Sequence, residues 1–387
     1  MNLELTDEQI ALRDAARGTL SRFDSVAAAR EALETPGALP DIWPAAVDAG
    51  WPGLVVAERH GGIELGVFEA MLVAEELGRT LASVPFIGLV PAAALLSAAD
   101  HDAAGPTAEG ETRPVYLPAC PPSPRLDDGV WTVDGLDGER IPAPVVDRSG
   151  SDVTVTGTVA WVPDAPGADL LVVVATDDGR PTALVVDASA DGVTVTSETR
   201  YDATRSMANI TLDGAAAVVL DCSEEEIAGA WHTAQALLAA EGVGTVDRAL
   251  ELAGAYAKER YTFGRAIGSY QAIKHELVEV LRRLQNARAL LVNVGWAAGA
   301  SPDDLPMAAS AARYSAGHAL DFAARSLINV HGGIGATWEH DAPLYFRRAQ
   351  LSRRLVGGLG LAGDRLADEC LARARRTAPR PEPAAVR

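Results

Sequence analysis

Two glycine-punctuated segments in the last third of the chain carry residue types that bind phosphate groups. In YTFGRAIG, Arg260 stands at the end of a predicted helix, where a guanidinium group can bind a pyrophosphate through bidentate, charge-assisted hydrogen bonds. Phe263 adds an aromatic face beside it. In HGGIG, Gly332 and Gly333 let the backbone approach a ligand closely because neither carries a side chain. Taken alone, Arg260 could form a surface ion pair, and the glycines of HGGIG could form helix-ending turns. The presence of both segments in one chain favours a binding site.

A third glycine cluster, in RRLVGGLGLAG, matches the spacing of a dinucleotide-binding fingerprint. Gly358, Gly360 and Gly363 reproduce the G-x-G-x-x-G pattern that cradles phosphates in Rossmann folds. That pattern indicates a nucleotide site only where a strand precedes it and a helix follows it. Here it follows the helical stretch YFRRAQLSRRL, so the sequence argues against a nicotinamide-binding Rossmann site.

Glu241 is a carboxylate on the apolar face of a long predicted helix. Its neighbours on that face include Leu237, Leu238 and Gly244. Burial of a carboxylate among such residues is costly and raises its pKa toward neutrality, which suits a general base. The alternative is a glutamate that is hydrogen-bonded within the helical bundle or paired with an arginine. Glu241 is therefore the candidate catalytic residue, and the ion pair stays open.

Composition argues against several classes of function. The chain of 387 residues carries a net charge of −20, which disfavours nucleic acids and anionic membranes as partners. The N-terminus lacks the features of a signal peptide, and no apolar run reaches the roughly 20 residues that a membrane helix needs. The cysteines are far apart and the histidines lack metal-binding spacing, so neither disulfides nor a metal site is expected. We therefore expect a cytoplasmic protein.

Hydrophobic periodicity predicts an α+β fold of three domains. Residues 1–110 have the period of amphipathic helices. Residues 111–222 contain short runs rich in Val and Thr between Gly, Pro and Asp, which predict an antiparallel β-domain, either a barrel or a sandwich. Residues 223–376 predict a four-helix bundle, and 377–387 a disordered tail. Thr6 with Gln9 and Ser223 with Glu226 have the spacing of capping boxes at the starts of two of these helices. Strands and helices do not alternate along the sequence, so the pattern does not indicate a parallel sheet.

Two segments of the third domain closely resemble the C-terminal signatures of the acyl-CoA dehydrogenase family. They are YAKERYTFGRAIGSYQAIKHELVEV, residues 256–280, and INVHGGIGATWEHDAPLYFRRAQ, residues 328–350. The order of N-terminal helices, central β-domain and C-terminal bundle is also similar to that of the family. By this resemblance the chain is identified as a member.

The resemblance implies an FAD site at a subunit interface. The residues that would contact FAD from one subunit are Arg260, Thr262, Phe263 and Gln271. Those that would contact the FAD of the neighbouring subunit are Asn329, Gly332 and Gly333. Trp161 aligns with the tryptophan that family members carry near the flavin ring.

The chain departs from the family pattern where family members place their catalytic groups. The T-E-P…G-S-D stretch is replaced by LPACPPSP, and Pro163 stands where a Ser or Thr bonds the flavin. Val356 aligns with the catalytic glutamate of many members, and Ala234 with the base of others. Glu241 lies on the same helix as Ala234, about two turns later and facing the same way. The N–H of Val356 could still bond a thioester carbonyl.

The implied function is FAD-dependent α,β-dehydrogenation of an acyl-CoA thioester, a reaction of lipid metabolism, in which a carboxylate takes the α-proton. The implied partners are an electron-transfer flavoprotein and further subunits, in a homo-oligomer or in a heterotetramer with a paralogous subunit. The alternative is a non-catalytic or half-catalytic subunit that completes the FAD site of a paralogous partner. Another flavin reaction on the same fold, such as that of a monooxygenase or oxidase, is a further option without positive support.

Overall fold

The computed structural model describes residues 4–35, 37–123, 129–199 and 201–377. The α+β architecture is confirmed: helices come first, a β-sheet follows, and long helices end the described chain. The predicted disordered tail lies outside the described residues except for Thr377, which is the last residue of a helix. None of the helices in these ranges is long and apolar enough to cross a membrane.

The N-terminal helices begin with the capping box that the sequence predicts. The Thr6 hydroxyl accepts from the Gln9 N–H at 3.2 Å, and the Gln9 side chain accepts from the Thr6 N–H at 3.0 Å. The bounds of these helices are α1 Asp7–Leu20, α2 Ser25–Glu31, α3 Trp43–Asp48, α4 Val67–Thr80, α5 Phe86–Ala98 and α6 Ala104–Ala108. Nearly every side chain of α5 is apolar and buried, so α5 is a core helix.

The central strands form a mixed sheet. Their bounds are β1 Pro114–Leu117, β2 Thr132–Asp134, β3 Arg140–Pro142, β4 Val145–Ser149, β5 Asp152–Pro163, β6 Leu170–Asp177, β7 Arg180–Asp187, β8 Val193–Ser197, β9 Met207–Ala216 and β10 Val218–Val219. Among the described residues, one eight-stranded sheet has the order β10-β7-β6-β4-β5-β9-β8, with β1 also on β6. Most neighbouring strands are antiparallel, as predicted, but β1 pairs with β6 in parallel, and β4, which is antiparallel to β5, meets β6 in parallel at Val145. Strands β2 and β3 form a separate hairpin.

The C-terminal helices pack side by side as a bundle. Their bounds are α7 Glu224–Glu259, α8 Gln271–Ala300, α9 Leu305–His331, α10 Ala342–Ser352 and α11 Gly358–Thr377. A small hairpin, β11 Tyr261–Thr262 and β12 Arg265–Ala266, connects α7 to α8. Ser223 and Glu226 form the predicted capping box at the start of α7.

Helices α4 and α7 cross at glycines, which brings the N-terminal helices onto the bundle. A Cβ on Gly78 would lie 1.9 Å from the carbonyl oxygen of Glu241, and a Cβ on Gly244 would lie 1.7 Å from that of Glu75. Only glycine permits this approach of two backbones. The crossing fixes the part of α7 that carries Glu241.

Candidate functional site

The first predicted phosphate-binding segment is a rigid hairpin at the end of α7. Arg260 caps the helix and is exposed. Phe263 and Gly264 form the turn with φ angles of 52° and 80°, as in the primed turns of two-residue hairpins. The Tyr270 hydroxyl donates to the carbonyl of Thr262 at 2.9 Å and so ties the hairpin to the start of α8. The Phe263 ring is 93% exposed on this support, which indicates a contact surface for a ligand or another subunit.

The second segment is an open glycine turn after α9. Gly332 has a φ of 64°, and a Cβ on Gly332 or Gly333 would meet no atom within 4 Å. Gly335 differs, because its Cβ would lie 2.7 Å from a backbone carbonyl of α9. Below the turn, the His331 ring stacks on Tyr256 with centroids 4.2 Å apart, which is a packing role. Gly335 therefore serves the fold, whereas the first two glycines leave space for a ligand.

These two segments lie on one surface of the chain. Val330, at the end of α9, lines a depression of about 340 Å³ together with residues of the hairpin. The Asn329 amide donates to the Glu276 carboxylate of α8 at 3.4 Å, and Gln271 is the exposed first residue of α8. Stacking of Tyr256 on His331 places the two segments close together in one chain, and their assignment to the FAD molecules of two subunits stays a prediction. An exposed guanidinium, an aromatic ring and open glycines fit the phosphate-bearing half of FAD.

Trp161 lies on the central sheet, at a bulge in β5. Its backbone is left-handed, with a φ of 57°, and its side chain is 37% exposed. Its N–H donates to the Asn209 side chain at 3.0 Å, and the Asn209 amide donates to Glu198 at 2.6 Å. Pro163 ends the strand and offers no N–H. The bulge therefore presents the indole ring at the surface, as a flavin-facing residue requires.

The loop between α10 and α11 is a left-handed turn with an apolar centre. Val356, Gly357 and Gly358 have φ angles of 51°, 78° and 73°. Val356 and Ala234 are each 1% exposed. The Trp231 ring packs against the turn, where a Cβ on Gly357 would lie 3.0 Å from it. The positions that carry a base in family members therefore hold buried apolar side chains here.

Glu241 lies in a buried ion-pair cluster that joins the bundle to the β-domain. One of its oxygens accepts from Arg348 at 2.6 Å, and the other is paired with Arg205. Arg348 also donates to Asp202 at 2.6 Å and to the Thr204 hydroxyl. All of these side chains are buried.

The ion-pair alternative for Glu241 is thus the arrangement observed. Each carboxylate oxygen accepts from one guanidinium group, which is the arrangement of a structural ion pair, although each oxygen keeps a further acceptor site. The role of Glu241 as a base stays a prediction.

Sequence reasoning missed a second buried carboxylate, Asp164. It accepts from the Gly88 N–H at 3.0 Å and so caps α5, whose N-cap residue, Pro85, has no side-chain acceptor. Burial raises the pKa of Asp164 to about 6, although the charge of Arg205 opposes this shift. Asp164 and Glu241 both line a cavity of about 10 Å³, room for about one water. One feature of the sequence could have pointed to such a residue: α5 starts after a proline and has no capping side chain of its own, so its N–H groups need an acceptor from elsewhere in the chain.

Replacing Asp164 with asparagine is expected to remove a pH dependence of stability. A folded-state pKa of about 6 lies above the ordinary 3.8, so the stabilisation by the protonated form is complete below pH 4 and is lost as the pH rises through 6. The asparagine oxygen can still cap α5. Relative to the variant, the wild type should lose about 2–3 kcal/mol of unfolding free energy between pH 4 and pH 7 in urea titrations. Asp191→Asn, at an exposed position, should show no such difference, and equal pH profiles for Asp164→Asn and wild type would refute the assignment.

Comparisons with known proteins decide the family. The family model described as acyl-CoA dehydrogenase, N-terminal domain, matches residues 6–100, and that of the C-terminal domain matches 227–376. The acyl-CoA dehydrogenase IpdE2 of Mycolicibacterium smegmatis is 30% identical over 357 residues, which cover 91% of this chain and 96% of that protein. The chain belongs to the acyl-CoA dehydrogenase family. IpdE2 of Mycobacterium tuberculosis is 31% identical over 90% of this chain and 93% of its own length.

Two solved structures share the fold over nearly the whole chain. A variant of the Tcur3481–Tcur3483 steroid ACAD superposes with a TM-score of 0.83 at 26% identity, covering 95% of this chain and 99% of that one. A chain of the ChsE4–ChsE5 complex from Mycobacterium tuberculosis has a TM-score of 0.82 at 23% identity, covering 98% of this chain and 100% of its own. The likeness extends through the β-domain, where the sequence is least similar to the family pattern.

Proposed function

We propose that this acyl-CoA dehydrogenase family member takes part in the FAD-dependent α,β-dehydrogenation of an acyl-CoA thioester. The observation that carries the proposal is the proximity of the exposed Arg260 hairpin to the open glycines Gly332 and Gly333, which follows from the stacking of Tyr256 on His331 at the ends of their two helices. FAD, when bound, supplies the oxidant for hydride removal from the β-carbon. The chain's own residues bind and orient the cofactor and the thioester.

Each part of the site has a defined task in this proposal. The Arg260 guanidinium binds the pyrophosphate, and the glycine turn lets the nucleotide approach the backbone. Trp161 lies beside the flavin ring. Within the described part of the chain, the Val356 N–H makes no hydrogen bond, so it can donate to the thioester carbonyl. Polarising that carbonyl stabilises the negative charge that develops as the α-proton leaves.

The substrate and partners are proposed from the family and its relatives. The Tcur3481–Tcur3483 relative is a steroid ACAD, which makes a bulky steroid-type acyl-CoA the first substrate to test. An electron-transfer flavoprotein would accept the electrons. An exposed Phe263 beside the nucleotide surface supports an oligomer, a homotetramer or a heterotetramer with a paralogous subunit. The proposed setting is cytoplasmic lipid metabolism.

A specific observation favours the alternative of a half-catalytic subunit. Val356 and Ala234 hold no carboxylate, and Trp231 fills the space beside the loop, while Arg140 lies over its ring at 5.6 Å. The positions that hold the base in family members therefore carry only buried apolar side chains in this chain, whereas its nucleotide surface is open. Such a chain can complete the FAD site of a partner that carries the base. The ChsE4–ChsE5 complex is an assembly of two different subunits.

The visible spectrum of the purified protein tests both versions. We expect a yellow protein, either alone or after co-expression with a paralogue, whose flavin bleaches anaerobically on addition of an acyl-CoA. Yellow colour only after co-expression supports the half-catalytic subunit. If Glu241 is the base, Glu241→Gln should slow bleaching by about 10²–10⁴-fold. Glu251→Gln, at an exposed position of α7, is the matched control.

Two outcomes would count against these assignments. Bleaching of Glu241→Gln at the wild-type rate would exclude Glu241 as the base and leave the ion-pair role. Failure of every assembly to retain flavin would contradict the proposed function itself.

A further inference from the structure

A buried arginine lies beside the loop that carries Val356 and makes no salt bridge with any described residue. Arg313, in α9, is 1% exposed. It donates to the carbonyl oxygen of Leu355 at 3.3 Å and to that of Ser352. Its Nε has no hydrogen-bond partner within the described residues. Burial lowers the pKa of Arg313 to about 10, but the group remains charged at neutral pH.

The absence of a carboxylate partner sets Arg313 apart from its neighbours in the cluster. Glu241, whose charge acts on Arg313, is paired with Arg205 and Arg348 instead. No salt bridge joins Arg313 to a carboxylate in the described ranges of the chain. A buried guanidinium that contacts only backbone carbonyls is costly to maintain. The benefit that offsets this cost must therefore come from the backbone segment whose carbonyls Arg313 holds.

That segment contains a strained residue at the candidate site. Val356 is β-branched and has a φ of 51°, a conformation that such residues rarely adopt. Strain of this kind persists only where the surroundings over-determine it. Arg313 holds the carbonyls on the N-terminal side of the strained residue, the Gln235 side chain donates to the Val356 carbonyl, and Arg205 lies 3.5 Å from the Ser352 hydroxyl.

We propose that Arg313 is a positioning residue for the reaction, which acts by holding the turn that presents the Val356 N–H. This inference rests on the proposed function. The Leu355 carbonyl and the Val356 N–H belong to one planar peptide group, so the guanidinium that holds this carbonyl also fixes the direction of the Val356 N–H. Without Arg313 the backbone of Val356 can leave its left-handed conformation, and the orientation of the Val356 N–H then changes. The effect does not depend on which residue, or which subunit, supplies the base.

The chain offers a matched control in Arg365. This residue of α11 is 5% exposed, donates to the carbonyls of Pro121 and Pro122, and also has an Nε without a partner. It holds a different segment, at the edge of the β-domain. Arg313→Met and Arg365→Met therefore remove the same chemistry from two places, only one of which is the loop.

Hydrogen exchange of the full chain, read by mass spectrometry, tests the proposal without requiring flavin. Arg313→Met should speed exchange in the peptide spanning 353–358 at least tenfold, because the carbonyls that order the turn are released. Arg313→Lys, which keeps a donor, should fall between that variant and wild type. Arg365→Met should leave the peptide at its wild-type rate. In the flavin-bearing assembly, Arg313→Met should also slow bleaching by an acyl-CoA at least tenfold with the flavin content unchanged.

The results that would overturn the proposal are distinct from those that would overturn the function. Unchanged loop exchange in Arg313→Met, or an equal increase in Arg365→Met, would exclude the positioning role. Faster exchange with unchanged bleaching in an active assembly would exclude its link to the reaction. If Arg313→Met does not fold, the same comparisons apply to Arg313→Lys. A wild-type assembly that binds flavin but never bleaches would contradict the function, while the loop exchange would still decide whether Arg313 orders the turn.

Discussion

Replacing Arg348 with methionine is expected to destabilise the fold by about 3–5 kcal/mol, because it removes one side of a buried ion pair. Arg348 is 1% exposed and donates to Asp202, Thr204 and Glu241. Methionine fills much of the same volume, but it leaves the Asp202 carboxylate buried without its guanidinium partner. Unfolding in urea, followed by circular dichroism, should show the loss as a lower midpoint with an unchanged slope.

The preceding residue, Arg347, provides the control for this prediction. Its guanidinium lies over the Tyr201 ring at 4.2 Å and donates to the Tyr201 carbonyl at 2.9 Å, at a half-buried position. Arg347→Met should cost about 1 kcal/mol or less, since no buried charge loses its partner. Similar losses for the two variants would mean that the cluster contributes nothing specific to the interdomain contact.

Local signals in the sequence predicted the helical parts well. The capping boxes at Thr6 and Ser223 depend on residues three positions apart, and both form as expected. The period of apolar residues likewise marks α7 and α8, because one face of each packs on the bundle. Such features depend on neighbours in the sequence, so spacing alone is sufficient to find them.

These local signals could not predict which distant strands pair with each other. Short apolar runs rich in Val and Leu show that β1 and β6 are strands, but Pro114 pairs with Leu170, more than fifty residues away, and in parallel. Turn residues determine only the pairing of strands that follow each other directly. The direction of β1 depends on how α5 and α6 return the chain to the sheet, which no local pattern encodes.

The same limit explains the partial reading of Glu241. Its apolar stripe correctly predicts burial, and Glu241 is 6% exposed. Its partners are 36 residues before it, at Arg205, and 107 residues after it, at Arg348. Helical spacing cannot show which arginines converge on one carboxylate, so the sequence left both a base and an ion pair open as interpretations of one pattern. Arg313 escaped notice for the same reason, because its partners are backbone carbonyls.

Replacing Arg260 with glutamine is expected to reduce the affinity for FAD by a factor of about 10²–10⁴. A bidentate, charge-assisted contact with a pyrophosphate contributes two hydrogen bonds of about 1.5–3 kcal/mol each, and the shorter, neutral amide cannot replace them. The measurement is flavin retained per polypeptide after gel filtration, followed by titration of the stripped protein with FAD. Arg260 is exposed and makes its backbone bond to Tyr256 whatever its side chain, so the fold should be unaffected.

A variant of Arg265, in the same hairpin, is the control that distinguishes the loss of a specific contact from a general loss of positive charge. Its guanidinium stacks on the Tyr270 ring at 4.0 Å and thereby supports the hairpin. Arg265→Gln removes the same charge a few residues away, and we expect it to change flavin retention much less. Equal losses of flavin retention in Arg260→Gln and Arg265→Gln would show that the surface attracts FAD only through its positive electrostatic potential. Full retention by Arg260→Gln would place the pyrophosphate elsewhere, and the glycine turn at Gly332 and Gly333 would then have to bind the nucleotide alone.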